Sequence, residues 1–280
     1  MSRFLPLAAA ALSILGLSAL GCSVDAQQGP VDSHVEKSYA LIAVERSTIV
    51  NGHEAPRAQA VVGFARLQPG QQASARSLGA LGTAMPELNQ CVHFPRAEQA
   101  RGALEFVDAG DVVIDVAGAR RSLAPRALPT VADLISGVIY TSRDQDELLL
   151  PADRQYSVRA LGGQFSGFEA TGSAPKLLGG INVGGQALES VAHVSASAPL
   201  DVSWEEGDPN DTVLVELAGA EGGVVCAFRD DLGAGTVAAH ATTRGAGRLS
   251  LHRIRTLPLA RQAGELSFDF QVTLPIEIRE

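Results

Sequence analysis

The chain has 280 residues, 46% of them apolar, and 31 acidic against 22 basic side chains give it a formal net charge of −9. An acidic chain without a basic stripe is repelled by nucleic acid and anionic lipid headgroups, so neither is an expected partner. Three cysteines are too few for a disulfide-dense scaffold, and the six histidines (His34, His53, His93, His193, His240, His252) never fall at the i, i+2 or i, i+4 spacings of zinc sites.

Arg3 is followed by an unbroken run of apolar and small residues from Phe4 to Leu20, the charged and apolar regions of a secretory signal. The run ends in Ala19-Leu20-Gly21-Cys22, which resembles the lipobox of bacterial lipoproteins. That resemblance implies removal of residues 1–21, a diacylglycerol on Cys22 and the membrane as a partner through the lipid. Several acyl chains are needed for stable anchoring, which N-acylation would complete. Ser23 stands where the family's inner-membrane retention signal places Asp, which implies the outer membrane. Residues 22–33 are polar and aperiodic and are expected to be a flexible tether of roughly 20 Å.

From His34 onward the pattern alternates with period two, the mark of strands with one buried face. Asn51-Gly52 lies between two apolar runs as a hairpin signal. A short helix is expected over Val131–Ser136, with Thr130 and Asp133 spaced as a capping box and Gly137 as its stop. Tyr156, Val158 and Ala160 form one apolar parity, with Gly162-Gly163 as the next turn. The glycine run Gly179 to Gly185 lacks the Lys and helix of a phosphate loop and reads as a linker. Gly163-Gln164-Phe165-Ser166-Gly167 has one residue too many for a nucleophile elbow.

Downstream, the apolar parities are Leu200, Val202 and Trp204, then Val213, Val215 and Leu217, then Val224, Cys226 and Phe228. The last segment alternates longest, from Leu266 through Phe268, Phe270, Val272, Leu274 and Ile276 to Ile278, with Pro275 requiring an edge or a bulge. The expected fold class is all-β: two packed antiparallel β-sandwich-like domains, 34–178 and 186–280, the second immunoglobulin-like in length. Leu200-Asp201-Val202-Ser203-Trp204, the 213–217 segment and Val225-Cys226-Ala227-Phe228-Arg229-Asp230-Asp231-Leu232-Gly233 together resemble uncharacterised lipoproteins of myxobacteria and their relatives. The resemblance implies location and fold but no activity.

If 200–205, 212–218 and 223–229 form a meander, Glu205, Glu206, Asp208, Asp211, Asp230 and Asp231 gather at one edge. Such an edge offers the oxygen ligands of a calcium site, the one cofactor the residues suggest; ordinary Asx-turn chemistry without a metal is the expected reading. Cys91 and Cys226 would share an oxidising compartment. Their placement in separate domains, with Cys226 on an apolar parity, favours two unpaired thiols over a disulfide. The expected function is a non-catalytic binding or structural role at the cell surface or in the periplasm, toward an envelope protein or a polysaccharide. One Trp, three Tyr and nine Phe offer few stacking platforms for sugars. The alternative is a hydrolase of envelope polymers, which a cleft with convergent carboxylates or a His-based dyad of perturbed pKa would favour.

Overall fold

The computed structural model describes residues 37–50, 56–67, 85–95, 104–131, 135–142, 150–238, 244–260 and 263–279. The signal, the tether with Cys22, and Asn51-Gly52 lie outside them. In chain order the strands are β1 (Lys37–Ile49), β2 (Arg57–Leu67), β3 (Cys91–Pro95), β4 (Leu104–Phe106), β5 (Val112–Val116) and β6 (Ala119–Ser122). They continue as β7 (Ala124–Val131), β8 (Ile135–Thr141), β9 (Gln155–Ala160), β10 (Phe168–Ser173), β11 (Asn182–Val183), β12 (Gln186–Ala187) and β13 (His193–Ser195). The last are β14 (Leu200–Ser203), β15 (Thr212–Ala218), β16 (Gly222–Arg229), β17 (Ala234–Val237), β18 (Gly245–Pro258) and β19 (Gly264–Arg279). The fold is all-β, with two short 3₁₀ turns at Leu188–Ser190 and Asp230–Leu232.

An eleven-stranded sheet runs β3-β16-β15-β18-β19-β1-β2-β4-β8-β7, with β13 added beside β19. Two four-stranded sheets, β10-β9-β5-β6 and β12-β11-β14-β17, take in the other described strands. The alternation read in the sequence decides how they pack. Leu266, Phe268 and Phe270 of β19 join Ile42, Val44, Val62 and Phe64 against Ile114, Tyr156 and Val158 of the first small sheet. Farther along the same parity, Leu274, Ile276 and Ile278 join Val213, Val215, Val224 and Leu251 against Val202, Trp204 and Val237 of the second. Ring contacts tie the layers: Tyr156 to Phe268 at 5.1 Å and Trp204 to Phe228 at 6.1 Å between centroids.

The two cores therefore part near the expected boundary, since Ala174 belongs to the first and Leu178 to the second. The large sheet does not part there. β19 pairs with β1 over Ala40↔Gly264 to Ile49↔Thr273, and β3 pairs with β16, so strands of both halves share one ladder system. The halves 34–178 and 186–280 thus exchange strands, and the first core is incomplete without the final strand. The β1–β19, β13–β19 and β4–β8 pairs are parallel among otherwise antiparallel ladders.

Two local expectations change. In place of a helix over Val131–Ser136, β7 and β8 form an antiparallel pair with Val131↔Ile135; residues 132–134 lie outside the described set. An isolated six-residue helix has too few internal hydrogen bonds to compete with ladder pairing. Gly137 is no helix stop: its φ is +108°, and an added Cβ would stand 1.7 Å from the Phe106 carbonyl oxygen. In place of a plain linker, Asn182↔Ala187 closes a tight hairpin around Gly184 and Gly185, both at positive φ. Pro275 meets its requirement in an unforeseen place, facing the gap on β19 between the end of β1 at Thr273 and the start of β13 at Glu277.

Candidate functional site

The acidic residues singled out in the sequence do converge at one end, although not through a meander: β14 belongs to the second small sheet and β15–β16 to the large one. The backbone draws them together, with Trp204 N donating to the Gly233 carbonyl at 2.9 Å and Asp230 N to the Asp211 carbonyl at 3.1 Å. The Trp204 indole N–H donates to the Asp230 carbonyl at 3.1 Å.

Arginines occupy the carboxylates. Arg253, fully buried on β18, donates to Asp230 Oδ1 at 2.8 Å, to the Glu205 carbonyl at 2.6 Å and to the Leu177 carbonyl at 2.9 Å. Burial pushes the Asp230 carboxyl up, and the Arg253 contact pulls against that shift. Arg255 grips Asp211 with two bonds, at 2.6 and 2.7 Å, donates to the Ser173 carbonyl at 3.1 Å and stands 3.4 Å from Asp208. Asp208 accepts both the backbone N–H and the side-chain amide of Asn210, an Asx turn that holds its carboxyl below the usual range. Asp231 pairs with Arg229, and Glu205 and Glu206 are exposed.

Among the described residues no group of three or more His, Cys, Asp or Glu is arranged to hold a metal ion. Four of the six carboxylates thus meet arginines, while Asp230 Oδ2 is buried without a hydrogen-bond partner. The two arginines were missed in the sequence, although a signal existed: they interrupt the apolar parity Leu249, Leu251, Leu257 at 253 and 255. Charges on a core-facing parity announce a buried ion pair.

On the opposite face of the large sheet, β1, β2, β18 and β19 bring polar groups together. His252 Nδ1 lies 2.9 Å from Asp269 Oδ1, with both side chains buried. Glu45 stands beside Asp269 in register and accepts from the Gln59 amide. Burial, and secondarily the Asp269 charge, raise the Glu45 carboxyl against the pull of that hydrogen bond and of His252. His252 Nε2 is buried without a hydrogen-bond partner. Ser250, two residues away on the same face, is bonded to Thr273 at 3.1 Å. His93 and His193 lie on separate strands, and His34, His53 and His240 fall outside the described residues.

Cys91 and Cys226 stand directly opposite each other on β3 and β16 and are joined by a disulfide. This corrects the expectation of two unpaired thiols, which assumed that the cysteines belong to separate domains. Pairing of β3 with β16 brings their Cα atoms to 4.0 Å.

No protein-family model matches the chain, and no curated protein matches it. Among solved structures, the crystal structure of the chicken CNTN1 FN1–FN3 domains matches 88% of this chain and 69% of its own, at 10% identity and a TM-score of 0.25. A likeness that slight carries no argument, and the fold assignment rests on the strands themselves.

Proposed function

We propose that the chain is an envelope-anchored lipoprotein whose β body, carried on the 22–33 tether, has a non-catalytic binding or structural role at the cell surface or in the periplasm. Its partner is an envelope protein or a polysaccharide. The observation that carries this reading is the internal use of the chain's ionic groups. Asp208, Asp211, Asp230 and Asp231 serve arginines or turns, and the Arg253 and Arg255 guanidiniums fasten the 173–178 connection to the large sheet. Groups so engaged rigidify a scaffold and are withheld from reaction chemistry. Anchoring is supported by the apolar run that ends at Cys22.

A hydrolase of envelope polymers is the second reading, favoured by the His252–Asp269 pair with its unbonded Nε2. Its weakness is access, since both side chains are buried. Two measurements test the proposal. Mass spectrometry of the membrane-extracted N-terminus is expected to find acylated Cys22, and Cys22→Ser to leave the protein unprocessed or released; an unmodified N-terminus beyond residue 22 defeats the anchor. Incubation with purified peptidoglycan and envelope polysaccharide is expected to release no fragments. Release that His252→Ala abolishes would install the hydrolase in its place.

A further inference from the structure

The Cys91–Cys226 disulfide fastens the outermost strand of the large sheet. Among the described residues β3 ends the strand order and pairs on one side, with β16, from Gly222↔Pro95 to Cys226↔Cys91. The two sulfurs sit in different surroundings. Cys226 is fully buried in the core that holds Trp204 and Val215, whereas Cys91, Val92 and His93 are exposed. Phe94 packs, half-buried, against the small cluster of Leu214, Val225, Ala227 and Ile254. Among the described side chains of β3 none belongs to either large core.

An edge strand with Cys91, Val92 and His93 exposed recovers little apolar burial against the conformational freedom it gives up; beside its backbone ladder to β16, which Asn89 and Gln90 extend to Ala227, the disulfide is its covalent tie to the sheet. A thiolate must reach a sulfur to open a disulfide, and the exposed residue is Cys91.

We propose that Cys91–Cys226 is a reducible latch: a dithiol opens it, β3 leaves the sheet, and both cores stay folded. One thiolate of the dithiol attacks Cys91 Sγ, the S–S bond breaks, and its electron pair goes to Cys226 Sγ, which takes up a proton. The second thiol of the dithiol then displaces Cys91 as a thiol and closes a cyclic disulfide. Two electrons and two protons pass from the dithiol to the cysteines. Opening uncovers the Gly222–Cys226 edge of β16, a row of backbone donors and acceptors to which another strand can add.

The test uses the folded full chain with dithiothreitol and no denaturant, read by hydrogen exchange, with parallel alkylation to locate free thiols. The expected result is alkylation of Cys91 ahead of Cys226 and exchange at residues 91–95 faster by tenfold or more, with β15, β18 and β19 unchanged. A Cys91→Ser, Cys226→Ala double variant is expected to reproduce that pattern without reductant. The latch is overturned by reduction that requires denaturant, by unchanged β3 protection after reduction and in the double variant, or by loss of protection throughout both cores.

Discussion

Arg253 occupies a position on β18 where its neighbours of the same parity, Leu249 and Leu251, are core side chains. A guanidinium there is tolerated because Asp230 and two carbonyls meet it, and breaking such a pair strands the remaining charge. Arg253→Met is expected to cost about 3–5 kcal/mol, measured by denaturant unfolding, because it leaves Asp230 uncompensated. A loss under about 1 kcal/mol would show that water reaches Asp230 and that the pair is dispensable. Glu45 makes the opposite prediction. Its carboxyl is raised in the folded protein, chiefly by burial, so the protonated form favours folding. That contribution is complete below the ordinary value of 4.5 and is lost as pH rises through the folded value. Glu45→Gln keeps an acceptor for Gln59, and is expected to raise the melting temperature at pH 7 with the gain shrinking toward pH 4. A variant less stable than the parent at pH 7 would reverse the assignment.

Among the elements, the β5–β6 hairpin shows a turn whose chemistry lags its geometry. Val116↔Ala119 closes a two-residue loop in which Ala117 and Gly118 have φ of +52° and +83°. Positive φ at both central positions is the requirement of a type I′ turn, for which Asn-Gly is the preferred pair. Ala117→Asn is expected to raise stability by about 0.5–1 kcal/mol without changing the strands, read from denaturant midpoints at constant slope. A neutral or negative change would place the limiting strain elsewhere in the loop. β19 is the other instructive element. Its period-two pattern located its apolar face from Leu266 to Ile278, and Pro275 announced an interruption. Nothing in the segment announced that its two halves serve different cores and pair with different neighbours, β1 and then β13.

For the whole molecule, that shared strand makes the two cores interdependent. Loss of β19 removes Phe268 and Phe270 from one core and Leu274, Ile276 and Ile278 from the other. Unfolding of residues 34–280 is therefore expected to be one cooperative transition. Fluorescence of the single tryptophan, Trp204 in the second core, should coincide with far-ultraviolet circular dichroism, and calorimetric and van't Hoff enthalpies should agree. Two separated transitions would show instead that the two halves unfold independently.

The acidic end and the disulfide mark the limit of sequence reading. Turn residues Asp208 and Asp211 were legible because Asx chemistry is local, and their convergence with Asp230 followed from strand lengths. Arg255 meets Asp211 from 44 residues on and Arg253 meets Asp230 from 23, and Cys91 and Cys226 are 135 residues apart. By itself the sequence determined the apolar parity of segments such as 156–160, 213–217 and 266–278, because alternation is a property of a few neighbouring residues, while at 131–136 and 179–185 local preference gave a helix and a linker where strands pair. The tertiary structure decided which strands pair, that one ladder runs through both cores, and which cation meets which carboxylate. Those outcomes depend on distant segments closing long loops onto a common face, a competition between pairings that no local pattern records.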